Sequence, residues 1–513
     1  MQPPADLPSR ASRRRSRDLS ATADHRDEIT AAPGSGRVLL ESTPAQGPTA
    51  WWALPEPPPP DWSPQLRDGP PPVRGLQRIE LEAGRAWVLV ADRLSRRSRQ
   101  RLMRELADWR DAPVIAGAAA PREAIVVGAG LAGCAVTDAL ARRGWRVTVL
   151  EQAERPGGVV ADIPLLAQHP ALSPGDDRRS RLLVAALLAS GRLGARIGTA
   201  LAIGGRFQAM PLAEARGRAA GLPAAVVQVV ERSSAAAHGI DGHSGLWFPG
   251  CATIDPARWW RRVATQPEVS LRLATGVAAI RRDGGRWLAL DACNAEIAGA
   301  PVLVLANQAH AFELAGLDAR ASGTLRRRPL QVLVGQPSAR PPQPSAAADE
   351  DAAPRAAPVL GIDGYRLEWP GRACVLGPVP AGAADTAAST TRALLAAWSR
   401  RLPGASDHWS WRLSPPAERL LLRDNLPMAG AVPDMAAIEA ARERHQRNDR
   451  LALPRREGLY LLTGMGGRGL LWSVLGAEVV AALAAREPPV VEPELADAID
   501  PARFVRRSLR RAQ

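Results

Sequence analysis

The alternation of apolar and polar positions is sharpest over residues 124–151, which read AIVVGAGLAGCAVTDALARRGWRVTVLE. Ile125, Val126 and Val127 form a short apolar run that suits a buried parallel strand. Gly128, Gly130 and Gly133 follow in G-x-G-x-x-G spacing, and Ala132, Ala135, Val136, Ala139 and Leu140 then share one helical face until Gly144. Val147 to Leu150 return as a strand that ends at Glu151. The pattern predicts a βαβ unit that binds a dinucleotide. One glycine permits the tight turn, one lets the backbone approach a pyrophosphate, and one packs the helix on the strand. The helix N-terminus offers free N–H groups and a positive dipole end to the phosphates, and an acid at Glu151 accepts ribose hydroxyls. Arg155-Pro156-Gly157-Gly158 adds a second glycine pair within reach of the phosphates. The motif alone leaves FAD and NAD equally open.

A second unit of the same kind closes the chain. Leu459 to Thr463 read as a strand, Gly464, Gly466, Gly467 and Gly469 as a turn, and Leu470, Leu471, Val474, Leu475 and Val479 as the inner face of a helix. Between the two units the periodicity predicts helices at 181–193 and 390–401 and a helix that starts within 255–260, with Asp255 as N-cap and Pro256 at its first position. It predicts strands at 201–210, 269–273, 276–281, 286–290, 300–306, 365–369 and 373–376. Two strand–glycine turn–helix units at opposite ends, with antiparallel strands between them, favour FAD. The second helix dipole then stabilises negative charge on the flavin as hydride arrives. The expected fold is α/β, a Rossmann-like FAD-binding domain interleaved with an antiparallel-sheet substrate domain. The FAD domain takes 121–210, 300–335 and 415–513, the substrate domain 211–299 and 359–414, and a disordered insertion 336–358. Residues 1–60 are expected to be disordered, and 61–120 to hold a hairpin over 76–92 and a helix over 97–109.

Composition changes the picture little. The formal charge of +14 points to an anionic partner, although all 66 basic residues are arginine and the chain is rich in Ala, Gly and Pro, a bias that GC-rich coding also produces. Cys134, Cys251, Cys293 and Cys374 are scattered without metal-ligand spacing, as are the seven histidines, so no metal site is expected. Reduced thiols, an Arg13–Arg17 cluster with no apolar segment after it, and an apolar stretch at 470–485 interrupted by Gly476 and Glu478 suggest a cytoplasmic protein away from membranes.

From about residue 121 to 510 the chain resembles the FAD-dependent oxidoreductase module of the MnmC family, bifunctional tRNA wobble-uridine modification proteins whose oxidoreductase half is similar in fold to glycine oxidase and D-amino acid oxidase. The resemblance rests on AIVVGAGLAGCAV, on Ala417-Glu418-Arg419 leading to Asp424-Asn425-Leu426-Pro427 and on to Pro433, on residues 462–470 (LTGMGGRGL), and on Asp500-Pro501-Ala502-Arg503-Phe504. It implies oxidative removal of the carboxymethyl group from carboxymethylaminomethyluridine (or its 2-thio form) in tRNA, by hydride transfer to flavin N5 and imine hydrolysis. It implies FAD contacts at Gly128, Ala129, Gly130, Leu131, Ala132, Gly133, Glu151, Gly464, Met465, Gly466, Gly467, Gly469 and Leu470, and Gly158 of the glycine pair above is expected to join them. Arg419 is the first candidate to anchor the substrate carboxylate and Arg468 the second, since a guanidinium fork matches a carboxylate. The family's A-S-G-N loop is replaced by Glu154-Arg155-Pro156-Gly157 and its G-G-W turn by Gly250-Cys251-Ala252-Thr253. About 120 residues precede the flavin fold without a second nucleotide motif, so methyl transfer is not expected and a separate methyltransferase is. The alternatives are a flavin oxidase of a small free amine or amino acid, and a non-catalytic tRNA-binding homologue.

Overall fold

Six strands form the central sheet of the computed structural model: β1 (Glu123–Val127), β2 (Arg146–Leu150), β3 (Val269–Arg272), β4 (Val302–Leu305), β5 (Met428–Pro433) and β6 (Arg455–Thr463). Their spatial order is β3-β2-β1-β4-β6-β5, parallel throughout except for the β6–β5 pair. The structure describes residues 122–513 except 175–176, 192–200, 221, 223, 225, 239, 241, 319–324, 339–357, 362–363, 371, 378–386, 402–408, 449–450, 488–489 and 512–513; before 122 it describes 27–29, 38–40, 76–81 and 84–89.

The sheet is buried on both faces, as parallel sheets are, and side chains alternate between two cores. Val126, Val147 and Val304 point to the helical side, where α1 (Leu131–Ala141), α2 (Arg178–Gly191) and α3 (Gly469–Ala485) pack. Ile125, Val127, Leu303 and Leu461 point the other way, against a three-stranded antiparallel sheet of Ala279–Asp283, Arg286–Leu290 and Glu296–Ala300. Trp287, buried on that sheet, donates from its ring nitrogen to Glu457 O at 2.9 Å.

α3 is apolar all round because it is surrounded. It packs on α1, α2, β5 and β6. With the turn before it, Gly466–Ala485 is long and apolar enough by composition to cross a membrane, yet 72% of that apolar window is buried inside the protein. Glu478, which the sequence reading took as an interruption, is buried and ion-paired with Arg142 and Arg143 of the α1 C-terminal end, the latter at 3.0 Å. Arg143 also pairs with Glu487 at 2.8 Å. These bridges tie the far ends of α1 and α3 together.

The second layer is an eight-stranded sheet in the order Gln228–Val230, Gly245–Phe248, Arg206–Ala209, Val359–Gly361, Tyr365–Trp369, Ala373–Gly377, Leu333–Pro337, Trp409–Leu413. A two-stranded ribbon, Leu325–Leu330 with Ala417–Leu422, is separate from it.

The domain boundaries differ from expectation in three places. β3 and the 279–300 strands belong with the nucleotide-binding body rather than the substrate domain. Arg206–Ala209 and Leu333–Pro337 lie in the eight-stranded sheet rather than the nucleotide-binding body. The reason is that strand periodicity reports burial of one face and is silent about which sheet covers it. The strand expected at 276–281 is shifted to Ala279–Asp283. Near the N-terminus the expected hairpin is present as Leu76–Leu81 and Gly84–Leu89. It is extended by Asp27–Ile29 and Val38–Leu40 into an antiparallel four-stranded sheet, which corrects the expectation of disorder for those residues. The helix expected at 97–109 lies outside the described residues, as does the 339–357 part of the expected insertion.

Candidate active site

Both glycine turns open onto one cavity. β1 runs into α1 through the first turn and β6 into α3 through the second, and the two helices lie side by side. The residues that begin them, Leu131 and Ala132, Gly469 and Leu470, border a cavity of about 1150 Å³ with its open mouth included. Neither helix has a side-chain cap or an acidic residue in its first turn. Their leading N–H groups and positive dipole ends are therefore left to a ligand.

The first turn fits a dinucleotide phosphate. A Cβ on Gly133 would stand 1.8 Å from Gly128 O, so that glycine is demanded by the packing of α1 on its own turn. A Cβ on Gly130 would meet nothing within 4 Å, so no protein contact demands that one and the space beside it is open to a ligand. Glu151 is 6% exposed; its Oε2 accepts from Ala129 N at 2.6 Å and its Oε1 from Ala153 N at 2.9 Å. Its carboxylate thus also braces the glycine turn. The Arg155–Gly158 loop closes on the same place: Gly157 N donates to Ala129 O at 2.8 Å, and a Cβ on Gly158 would lie 3.4 Å from Gly130 Cα.

Of the expected cofactor contacts, Gly130, Leu131, Ala132, Gly464, Met465, Gly466, Gly467, Gly469 and Leu470 line the cavity. Gly128, Ala129, Gly133, Glu151 and Gly158 are not in its lining, and Gly157 lines it where Gly158 was expected. The difference has a physical basis: Gly128, Ala129, Gly133 and Glu151 are engaged with one another or with neighbouring backbone and build the cradle, while the residues at the start of the helix face the cavity.

Both expected arginines line the cavity. Arg419 sits on Ala417–Leu422 opposite Arg328 of the partner strand and donates from Nη2 to Pro329 O at 3.3 Å, while its Nε is buried without an acceptor. A Cβ on Gly467 would lie 3.4 Å from its Nη1, so the ribbon and the second glycine turn meet there. Arg468 makes no hydrogen bond or ion pair with the described residues, and its Nε is likewise buried and unmatched. Burial, then the charges of Arg179 and Arg206, lower Arg468 to about 10, so it stays protonated at neutral pH.

Sequence reasoning missed Tyr365 and His169, which also line the cavity. Burial raises the Tyr365 phenol, against the opposing charge of Arg419. His169 is held well below the usual imidazole range, by burial first and then by Arg206 and Arg468. Neither residue lies in a motif. Cys251, in the altered 250–253 turn, is fully buried and pushed up to about 12 by burial, against Arg206. The motif at 424–427 and the one at 500–504 find each other instead of the cavity: Asp424 takes a two-pronged hydrogen bond from Arg503, at 2.9 and 3.0 Å.

Among the described residues no three His, Cys, Asp or Glu side chains gather as a metal site would require.

Comparison with known proteins agrees with this geometry. The family described as "DAO: FAD dependent oxidoreductase" matches residues 123–483. The tRNA 5-methylaminomethyl-2-thiouridine biosynthesis bifunctional protein MnmC of Burkholderia ambifaria is 36% identical over 423 residues, 77% of this chain and 61% of that protein. The chain therefore spans less than two thirds of that relative's length. In fold it is similar to iminodiacetate oxidase from a Chelativorans species, with a TM-score of 0.52 at 19% identity over 72% of this chain and 96% of that one. Glycine oxidase from Geobacillus kaustophilus gives 0.50 at 20% identity over 71% and 95%. With its two glycine cradles closing on one cavity and the family match spanning both, the chain belongs to the FAD-dependent oxidoreductase family, and FAD is its cofactor.

Proposed function

We propose that this protein removes the carboxymethyl group from carboxymethylaminomethyluridine, or its 2-thio form, at the wobble position of tRNA. The observation that carries the reading is the pair Arg419 and Arg468 on the cavity wall, each with a buried, unmatched Nε and neither with a carboxylate partner among the described residues. Such donors are costly to bury alone and are matched by a carboxylate that enters with the substrate. The substrate is in effect a glycine attached to a nucleobase. Held by its carboxylate, it presents the carbon between nitrogen and carboxylate to the interior of the cavity. Bound FAD supplies the hydride acceptor. Loss of that hydride leaves a carbon–nitrogen double bond, to which water adds; cleavage of the carbon–nitrogen bond then gives glyoxylate and aminomethyluridine.

The ribbon supports a nucleic-acid substrate. Arg326, Arg327 and Arg328 are exposed on Leu325–Leu330, while Leu330 of the same strand lines the cavity. Phosphates bound along it would bring a base, turned out of its stack, to the cavity mouth, with affinity that falls steeply with salt. The curated relatives are named for tRNA 5-methylaminomethyl-2-thiouridine biosynthesis, which supports the same substrate. We place the protein with its tRNA in the cytoplasm.

The test is anaerobic mixing of the purified yellow protein with tRNA carrying the modified base. Visible flavin absorbance should bleach with that tRNA and not with free glycine or sarcosine. Bleaching by the free amino acids alone would transfer the reading to a small-molecule oxidase, and no bleaching by any of them would reject turnover.

A further inference from the structure

A second group of donors lies at the cavity wall and directly behind it. His169 borders the cavity, and its Nε2 lies 3.1 Å from Nη2 of Arg206. Arg206 is 1% exposed and has no carboxylate partner among the described residues. Its Nη1 donates to Pro170 O at 3.2 Å and to Gln208 Oε1 at 3.1 Å, and its Nε is buried without an acceptor. A guanidinium only donates, so Nε2 of His169 accepts and the ring proton resides on Nδ1. That Nδ1–H has no acceptor among the described residues. Arg468 lines the same cavity as His169, and its charge is among those that disfavour a proton on that ring. Two guanidinium groups and an imidazole N–H are thus gathered with no acid to balance them, which costs free energy that a bound anion would return.

We propose that His169, clamped by Arg206 and flanked by Arg468, is an anion subsite of the FAD cavity that takes the paired oxygens of a carboxylate or a phosphate. The inference rests on the FAD-cavity reading and is independent of whether tRNA is the substrate. Two bound molecules bring such oxygens: a small carboxylate ligand, and FAD through its pyrophosphate.

The experiment uses the FAD-loaded protein and three variants. His169→Phe keeps an aromatic ring without a donor, His169→Asn returns an N–H near the position of Nδ1, and Arg206→Met removes the clamp. Acetate binding is measured by calorimetry with acetamide as the uncharged control, and FAD retention by recovered flavin fluorescence on dilution. A loss of one charge-assisted hydrogen bond weakens binding by about tenfold or more. If His169→Phe and Arg206→Met weaken acetate by that factor and His169→Asn restores it, the subsite takes a carboxylate. If they release FAD at correspondingly higher protein concentration and His169→Asn restores retention, it takes the phosphate. The proposal is overturned if acetate and FAD both stay within about twofold of wild type, if His169→Asn rescues nothing that His169→Phe loses, or if acetamide binds as well as acetate. Should Arg206→Met fail to fold by circular dichroism, the two His169 variants decide alone.

Discussion

Arg419 spends one of its five N–H donors on Pro329 O and keeps Nε buried and unmatched, so its worth lies in a ligand rather than in the fold. Replacing it by Met should remove a charge-assisted bond worth about 1.5–3 kcal/mol and raise KM by roughly 10- to 150-fold, with the flavin spectrum unchanged. Arg419→Lys should recover only part of this, because an ammonium lacks the fork. Flavin loss in either variant would show the residue to be structural. His169 gives a pH signature of opposite kind. Burial, Arg206 and Arg468 depress its protonation, so the unfolded chain binds the extra proton first. Stability should therefore decline as pH falls below the ordinary value of 6.5, and His169→Phe should flatten that decline in thermal melts taken across this range. Arg419 was legible only through its place before the 424–427 motif. Arg206 and His169 were not legible at all: they are 37 residues apart on different elements, and an inward arginine in a strand looks like an exposed one until the opposing layer is known.

At the scale of elements the two glycine turns were legible because their demands are local: a strand, a turn that excludes side chains, and an uncapped helix must follow within a few residues. Gly130 and Gly133 separate the two reasons for that exclusion. Gly133→Ala forces a carbon to 1.8 Å from Gly128 O, so α1 must move; stability should fall by several kcal/mol and flavin should be lost with it. Gly130→Ala meets no protein atom within 4 Å, so melting of the FAD-free protein should change by less than about 1 kcal/mol while FAD affinity falls. Equal damage to stability in the two variants would remove the phosphate from beside Gly130. α3 was read only in part, since Glu478 inside an apolar run looks like a break until Arg142 and Arg143 are placed against it.

In the whole molecule, chain segments far apart in sequence hold one another. Arg503 is 5% exposed and grips Asp424, donating also to Leu426 O at 3.1 Å. Burial alone would raise the Asp424 carboxyl, but the hydrogen bond and charge of Arg503 outweigh it and the net direction is down. Asp424→Asn should cost about 3–5 kcal/mol at neutral pH, because it strands a buried guanidinium. The sign for pH follows from the lowered carboxyl. The stabilisation is complete above the ordinary value of 3.8 and disappears as pH falls through the lower folded value, so wild type and variant should converge in acid. Chemical denaturation from neutral pH down to about pH 2, taken about one unit apart, checks this. The two short motifs involved were visible in the sequence as resemblances, but their mutual contact was not, since nothing local in either one points to the other. The same holds for β3, whose neighbour β2 lies more than a hundred residues earlier in the chain.

The cavity is closed by two turns that a ribosome delivers at very different times. Gly130 emerges early and Met465 only after most of the domain has been made. At about 5–20 residues per second, the interval between them is on the order of half a minute. During that time the first turn stands without its counterpart. Capture of FAD is accordingly a late event in the life of each nascent chain, and truncation anywhere before the second turn leaves a protein that has half of the nucleotide site and no means of closing it.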